Sequence, residues 1–222
     1  MPLPCIEKLT APNPRHAVIW LHGLGADGND FVPIVAELVD PKWPPLRFVF
    51  PHAPVRPITI NGGMPMRAWY DISGMEIAQR QDESGIRASI VLLDELIARE
   101  VERGIATENI FLAGFSQGGA IVLSGGIRYA RKLGGIIALS TYLPMAEKTD
   151  AEASAANRAI PVFMAHGMLD PTISHALGEM SRDYLKQRGY AVDWHAYPMA
   201  HQVCMEEIAD LRTWLGARIA PA

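Results

Sequence analysis

The sequence has only two cysteines, no basic cluster and no long apolar segment. Cys5 and Cys204 are too few for a disulfide framework and too far apart for a CxxC metal or redox motif, so we interpret both as free thiols in a reducing compartment. The longest apolar runs, such as residues 17–21, are far shorter than the ~18 residues of a membrane span. The first residues also lack the basic and apolar regions of a secretory signal. These absences predict a cytoplasmic protein with no integral membrane segment.

An excess of charge of one sign is also absent. Asp and Glu number 24 against 20 Lys and Arg, which gives a formal net charge of −4, and the basic residues are scattered. Because nucleic-acid-binding surfaces concentrate Lys and Arg, we expect no nucleic-acid partner. Apolar residues make up 49% of the chain, which is enough for a large buried core. No linker rich in Pro, Gly and Ser divides the 222 residues, so we expect a single domain over residues 1–222.

Short apolar runs alternate with longer amphipathic stretches along the chain. This pattern is typical of strands that cross over through helices into a mostly parallel sheet, and it predicts an α/β fold with helices flanking the sheet. One helical stripe runs from Ile86 to Val101 and is followed by Gly104, a residue suited to a left-handed C-cap. We interpret the proline-rich residues 41–65 as loops around one strand. The predicted strands are residues 16–21, 47–50, 109–113, 135–140, 160–165 and 191–197.

Residues 114–118 read GFSQG and match the G-x-S-x-G pattern of a nucleophile elbow. In that elbow, small flanking residues permit a strained turn that lifts a serine hydroxyl above a sheet. The five-residue pattern alone arises by chance in roughly one chain of this length in ten, so a plain glycine-rich turn is the alternative. Here an apolar run precedes the pattern and residues 119–123 continue as an apolar helix, as the elbow requires. We therefore predict Ser116 as a catalytic nucleophile.

The serine needs a base to take its proton, and the base needs a carboxylate to fix its tautomer. In the fold that uses this elbow, the acid and then the histidine follow the serine along the chain. Asp170 comes directly after a predicted strand, at the carboxyl end of the sheet, where α/β sites form. Asp193 lies within the next predicted strand and is the competing candidate. We predict Asp170 as the acid and interpret Asp193 as a solvated residue.

Three histidines follow the predicted acid along the chain. His175 begins an amphipathic stretch, and His195 alternates with Trp194 inside a strand pattern. His201 lies in a predicted loop before the last helix, where an imidazole can face an active site. We predict His201 as the base. The alternative is that His201 is an ordinary surface histidine.

The first predicted strand ends in a loop that reads HGLG over residues 22–25. In enzymes with a nucleophile elbow, the loop after this strand forms part of the oxyanion hole. One of its backbone N–H groups points at the negative charge that develops on the substrate carbonyl. We predict the backbone N–H groups of Leu24 and Gln117 as the two donors. Residues 23–28 also match the G-x-G-x-x-G pattern of dinucleotide-binding proteins, which needs an acidic residue at the end of the second strand. Residues 50–52 read FPH, so that alternative lacks its carboxylate.

Taken together, these motifs resemble those of the carboxylesterase and acyl-protein thioesterase family of small α/β-hydrolases, also called the phospholipase/carboxylesterase family. The resemblance implies an α/β-hydrolase fold, the triad Ser116, Asp170 and His201, and cleavage of esters and thioesters through an acyl-serine, without cofactor or metal. Two departures are residues 173–174, which read Ile-Ser instead of Val-Pro, and Ala200 at a variable position; the first could reshape one wall of the substrate groove. The matching segments are residues 21–28 (LHGLGADG), 67–71 (RAWYD), 114–120 (GFSQGGA), 139–144 (LSTYLP), 166–171 (HGMLDP) and 201–203 (HQV).

The connection between the predicted strands near residues 140 and 160 spans only about 20 residues, which is too short for a substantial lid beside its own crossover. We therefore expect an open site with an apolar wall built from loops. The alternative is that the same side chains anchor those loops to the core. In the family resemblance, the residues that border the substrate groove are Ile58, Ile60, Met64, Leu143, Met168 and Ile173.

The partners expected from the resemblance are small-molecule esters and acyl thioesters of short-to-medium chain length, and also acylated proteins or lysophospholipids. The sequence is compatible with both a monomer and a homodimer. A lysophospholipase would carry all of these motifs, and a non-catalytic binding protein would share the fold, since a fold does not by itself confer activity. The intact chain order of serine, acid and histidine favours the hydrolase over the binding protein.

Overall fold

The computed structural model describes residues 3–74 and 81–219. Its main feature is a seven-stranded sheet in which all neighbouring strands are parallel except the first pair, β1 and β3. This confirms the mostly parallel sheet expected from the sequence. In spatial order the strands are β1 (Cys5–Leu9), β3 (Leu46–Pro51), β2 (His16–Leu21), β6 (Ile110–Phe115), β7 (Gly135–Leu139), β8 (Pro161–Gly167) and β9 (Ala191–Tyr197).

Helices cover both faces of the sheet. On one face pack α2 (Glu83–Glu102), α3 (Gln117–Arg128) and α5 (His175–Gln187). On the other face pack α1 (Ile34–Leu38) and α6 (Met205–Gly216). Because both faces are covered, the central strands are apolar at nearly every position rather than at every second one. Two hydrophobic cores result, one on each side of the sheet, and the carboxyl ends of the parallel strands open at a shared edge.

The structure adds three strands that the apolar runs do not predict. The edge strand β1 has two charged residues and is largely exposed, so its pairing with β3 depends on the backbone rather than on an apolar pattern. The proline-rich residues 41–65 contain more than loops around one strand, and that interpretation is wrong. They include β4 (Val55–Ile58) and the start of β5 (Met64–Arg67), which pair as a separate hairpin. Pro57 faces Pro65 there, as an isolated two-stranded ribbon permits.

The connection from β7 to β8 carries only short elements. It holds two 3₁₀ turns and the four-residue helix α4 (Thr149–Glu152). The helix is too short to cover a substrate site, in line with the expectation that this connection forms no substantial lid. Within the described residues, no helix is long and apolar enough to cross a membrane.

Candidate active site

Ser116 lies in a sharp turn between β6 and α3, with a φ of 54° and a ψ of −120°. A non-glycine residue rarely adopts a positive φ, and such strain is concentrated at functional sites. The flanking glycines make the turn sterically feasible. A Cβ on Gly114 would lie 2.4 Å from the carbonyl carbon of Gly118, and a Cβ on Gly118 would lie 2.3 Å from the carbonyl oxygen of Leu21. The G-x-S-x-G spacing is therefore a packing requirement of this turn.

His201 connects the serine hydroxyl to a buried carboxylate. Its Nε2 is 2.9 Å from Ser116 Oγ, and its Nδ1 is 2.7 Å from Asp170 Oδ2. A carboxylate oxygen can only accept, so Nδ1 carries the proton and donates it to Asp170. Nε2 is then the unprotonated nitrogen, and it accepts the hydrogen bond from the Ser116 hydroxyl. In this arrangement, His201 Nε2 can take the proton of the Ser116 hydroxyl.

Asp170 is held by the turn that follows β8. Its Oδ1 accepts the backbone N–H groups of Thr172 at 2.8 Å and Ile173 at 2.9 Å, an Asx turn that fixes the carboxylate. The Asp170 side chain is fully buried, and Oδ2 is directed at the His201 ring. The structure thus brings together the three side chains Ser116, His201 and Asp170.

The competing residues lie elsewhere. The Asp193 side chain is 53% exposed, and its carboxylate is 3.2 Å from His195 on the same strand. His195 also faces Asp210 on α6, at 3.3 Å. His175 begins α5 and lies 3.5 Å from Glu179 on the next turn. None of these groups contacts Ser116.

Leu24 and Gln117 approach the serine from two different elements. Leu24 follows β2, and Gln117 is the first residue of α3, where the helix dipole is positive. In the described part of the chain, neither backbone N–H has a protein acceptor. Two free donors beside a nucleophile can donate hydrogen bonds to a substrate oxygen and stabilise its developing negative charge.

A neutral histidine, His22, holds the loop of Leu24 in place through two hydrogen bonds. His22 Nε2 accepts the Ala53 N–H at 3.0 Å, so its Nδ1 carries the proton and donates to the Gly23 carbonyl at 2.7 Å. Burial lowers the pKa of His22, which favours this uncharged state. On the far side of the loop, Gly25 N–H donates to the Arg67 carbonyl at 2.9 Å. The loop that carries the Leu24 donor is therefore fixed at both ends.

The segment at residues 68–70 connects the two donors. Gln117 Oε1 accepts the Trp69 N–H at 2.8 Å, and Gln117 Nε2 donates to the Tyr70 carbonyl at 2.7 Å. The Trp69 indole N–H then donates to the His22 carbonyl at 2.9 Å. The Gln117 side chain therefore supports the same site to which its backbone N–H contributes. The matching segment 67–71 was a sequence signal for this region, but its supporting role depends on contacts that the sequence does not reveal.

The dinucleotide pattern at residues 23–28 does not lead into a helix. Turns continue to residue 33, and α1 begins only at Ile34. The last glycine of the pattern, Gly28, packs against β3, where a Cβ would lie 2.5 Å from the Phe50 carbonyl oxygen. A dinucleotide site needs a helix N-terminus directly after the glycines, so this loop lacks the phosphate-binding element.

An open cavity of about 470 Å³ lies beside the Ser116 hydroxyl. Its apolar wall comes from the loop after β2, the residue before the serine and the residues after His201. Three of the lining residues, Leu24, Ser116 and His201, were predicted from the sequence to have a role in the reaction. The lining residues are Gly23, Leu24, Ala26, Asp30, Phe31, Phe115, Ser116, Thr172, His201, Gln202 and Val203.

The six residues expected at the substrate wall are not brought together at this cavity, because none of them is among its lining residues. Ile58, Leu143 and Ile173 are buried in packed structure. Ile60 and Met64 are exposed in and beside the β4–β5 hairpin, and Met168 is 49% exposed after β8. Their assignment to the substrate groove was drawn from the family resemblance, and it stays a prediction.

Comparisons with known proteins agree along nearly the whole chain. A family model described as Phospholipase/Carboxylesterase matches residues 6–219. Acyl-protein thioesterase 1 of Cryptococcus neoformans var. neoformans serotype D is 37% identical over 234 aligned residues, covering 97% of this chain and 98% of that protein. The crystal structure of Arabidopsis thaliana SOBER1 superposes with a TM-score of 0.87 at 28% identity, covering 92% of this chain and 99% of that chain. The crystal structure of Zea mays acyl-protein thioesterase 2 gives 0.84 at 27%, covering 97% and 99%. The sheet and helices have the α/β-hydrolase fold, and the chain belongs to the phospholipase/carboxylesterase family of hydrolases.

Proposed function

We propose that the protein is a serine hydrolase that cleaves carboxylic esters and thioesters of short-to-medium acyl chains through an acyl-serine intermediate. The observation that carries the proposal is the continuous path of hydrogen bonds from Asp170 through His201 to Ser116, with links of 2.7 and 2.9 Å. The path ends at an open, mostly apolar cavity. A nucleophile, a base, a buried acid and a place for an acyl chain are the parts that acyl transfer requires.

The reaction follows from these positions. Ser116 Oγ attacks the substrate carbonyl while His201 Nε2 takes its proton, and Asp170 stabilises the resulting imidazolium. The backbone N–H groups of Leu24 and Gln117 bind the oxyanion of the tetrahedral intermediate. His201 then gives its proton to the departing alcohol or thiol, which leaves an acyl-serine. Water, deprotonated by the same histidine, releases the carboxylic acid and restores the serine.

The substrates that we propose are small esters and acyl thioesters, with acylated proteins as the macromolecular class. Relatives named acyl-protein thioesterase support the second class. We further propose action in the cytoplasm, because both cysteines are free thiols, as a reducing compartment favours. The lysophospholipase alternative differs in requiring lipid aggregates, so dependence on the critical micelle concentration separates the two.

The proposal is tested by labelling with a fluorophosphonate and measuring intact mass. The wild-type protein should gain one adduct, and Ser116→Ala should gain none while keeping its circular dichroism. Its kcat should fall by about 10⁵- to 10⁶-fold, as in other serine hydrolases that lose the nucleophile. Ser140→Ala is the matched control, since Ser140 also adopts a positive φ at a strand end but, among the described residues, forms no hydrogen bond with Ser116, His201 or Asp170.

Two outcomes would contradict the proposal. If the folded wild-type protein takes up no label, the fold serves binding rather than catalysis. If Ser116→Ala keeps more than a hundredth of the wild-type ester hydrolysis, the nucleophile lies elsewhere. Ser140→Ala should label like the wild type in either case.

A further inference from the structure

A second histidine, His166, lies directly behind the acid of the triad. It is in β8, four residues before Asp170, and its side chain is 1% exposed. His166 Nε2 is 2.8 Å from the carbonyl oxygen of Ile173 and 3.5 Å from Asp170 Oδ2. The acyl-transfer steps do not use this residue. A role for it in catalysis rests on the proposed function, in which Asp170 must keep its carboxylate directed at His201.

The protonation of His166 is set by its partners. The Ile173 carbonyl can only accept, so Nε2 carries the proton and donates it. Nδ1 is buried without a partner among the described residues and is therefore the unprotonated nitrogen. Three titratable side chains face the ring: Asp170, His175 and His201. Burial is the largest influence and lowers the pKa of His166, so the ring is a neutral donor.

Packing holds the His166 ring in one orientation. Trp194 on β9 stacks on it with ring centroids 6.1 Å apart, and His175 meets it edge-on at 5.9 Å. Helix α5 passes close to the ring at Gly178, where a Cβ would lie 2.5 Å from His166 Nδ1. A glycine at this point of the helix leaves room for the imidazole. The direction of the Nε2–H group is therefore set by packing against two separate elements, β9 and α5.

The same turn residue connects His166 to the acid. The Ile173 N–H donates a hydrogen bond to Asp170 Oδ1, and the Ile173 carbonyl oxygen accepts one from His166 Nε2–H. The other carboxylate oxygen, Asp170 Oδ2, lies between His201 at 2.7 Å and His166 at 3.5 Å. A fully buried carboxylate needs such donors on every side to stay ionised and in place.

We propose that His166 is a positioning residue for Asp170: its Nε2–H holds the turn at residues 170–173 closed and keeps Asp170 Oδ2 directed at His201. The residue acts only through the acid and does not touch the substrate, since it does not line the cavity beside Ser116. Loss of its N–H therefore affects the chemical step more than substrate binding. A displacement of about 1 Å in such a group is enough to cost about 10²-fold in rate.

The test compares two variants at the same position. His166→Met introduces an apolar side chain of similar length and removes the donor. His166→Gln places an amide N–H close to the position of Nε2 and is the conservative variant. His195→Gln is the matched control, because His195 is also a stacked ring beside a carboxylate, on the neighbouring strand β9, but faces Asp193 and Asp210 rather than Asp170.

Turnover of p-nitrophenyl butyrate is measured per active site titrated with fluorophosphonate, between pH 5 and 9. His166→Met should lower kcat by about ten- to a hundredfold with KM within twofold. Its acidic limb of kcat/KM should move to lower pH, because the imidazolium of His201 loses a well-placed partner. In the proton NMR spectrum, the downfield resonance of the His201 Nδ1–H, which is hydrogen-bonded to Asp170, should weaken or disappear. His166→Gln should recover at least half of the lost rate on a logarithmic scale, and His195→Gln should match the wild type.

Three results would overturn the proposal. The first is a His166→Met protein with reduced thermal stability but an unchanged kcat per titrated site and an unchanged acidic limb, which indicates a purely structural role. The second is a His166→Gln protein as impaired as His166→Met, because the N–H would then be irrelevant. A second variant is used if His166→Met does not fold. In Gly178→Ala, the added Cβ displaces the His166 ring without changing its chemistry. Unchanged kinetics in a folded Gly178→Ala protein is the third such result. Failure of the proposed function would appear earlier, as absent labelling of the wild type.

Discussion

The phenyl ring of Phe115 lies against the imidazole of His201, with ring centroids 4.7 Å apart and ring planes inclined at 46°. Phe115 directly precedes Ser116, so the same turn that presents the nucleophile also presents an aromatic surface to its base. Phe31 packs behind Phe115 at 5.6 Å, and Trp20 packs behind Phe31 at 5.2 Å. This row of rings runs from the core to the base that becomes positively charged during turnover.

Phe115→Leu should weaken catalysis by removing a favourable contact with the His201 imidazolium. A cation over an aromatic ring gains about 0.5–1 kcal/mol at a partly exposed site, which corresponds to about two- to fivefold in kcat. Phe31→Leu is the control, since Phe31 lines the same cavity but packs on Phe115, and it should change KM more than kcat. Equal losses of kcat in both variants would show that the Phe115 ring only packs.

Asp170→Asn should lower kcat by about 10⁴-fold while the protein remains folded. The amide can present its NH₂ to His201 and thereby stabilise the wrong tautomer, in which Nδ1 accepts and Nε2 is protonated. Asp193→Asn should stay within twofold of the wild type, because that carboxylate is half-exposed and pairs with His195 rather than with His201. Steady-state kinetics on one soluble ester measures both variants. The opposite ranking would identify Asp193 as the acid.

The open cavity predicts a limited preference for chain length. Each buried methylene gains ~0.8 kcal/mol, or about fourfold in kcat/KM, but methylenes beyond the cavity remain in water and gain nothing. For p-nitrophenyl esters, kcat/KM should rise from acetate to a maximum between butyrate and octanoate and then level or fall by palmitate. Phe31→Ala should weaken the preference by opening the apolar wall. A steady rise to palmitate, or activity only above the critical micelle concentration, would favour a long-chain lipase or a lysophospholipase.

Glu207 predicts a pH-dependent contribution to stability. Its side chain is buried in the first turn of α6, and burial raises its pKa from 4.5 to about 8. Below pH 4.5 the group is neutral in both the folded and the unfolded chain. As pH rises to about 8 the unfolded chain is ionised first, so the free energy of unfolding falls over this window.

Glu207→Gln should remove that decrease, because the amide stays neutral at every pH. Urea unfolding at about pH 5, 6.5 and 8 should give a variant close to the wild type at the lowest pH and more stable than it at the highest. Glu206→Gln is the control, since the neighbouring Glu206 side chain is exposed. Parallel pH profiles for the wild type and Glu207→Gln would contradict the assignment.

The local motifs were sufficient to identify the elements around Ser116. A strand, a sharp turn and a helix are consecutive in the chain, and the small residues at 114 and 118 are required by contacts within that turn. The six predicted strands all exist, within one or two residues at most ends, because buried parallel strands are continuous apolar runs. Edge strand β1 and the β4–β5 hairpin have polar or proline-containing sequences, and only pairing with a distant partner defines them.

The order of serine, acid and histidine along the chain also allowed Asp170 and His201 to be selected before any geometry. The sequence determined this much because the carboxyl ends of parallel strands meet at one edge, whatever the loops between them. Only the tertiary structure decided which apolar side chains face the cavity and which lie in the core. Ile58 and Phe31 are both apolar residues in the first third of the chain, yet one is buried and the other lines the site. The hydrophobic effect rewards burial without direction, so the packing of the whole chain determines which apolar surface remains open.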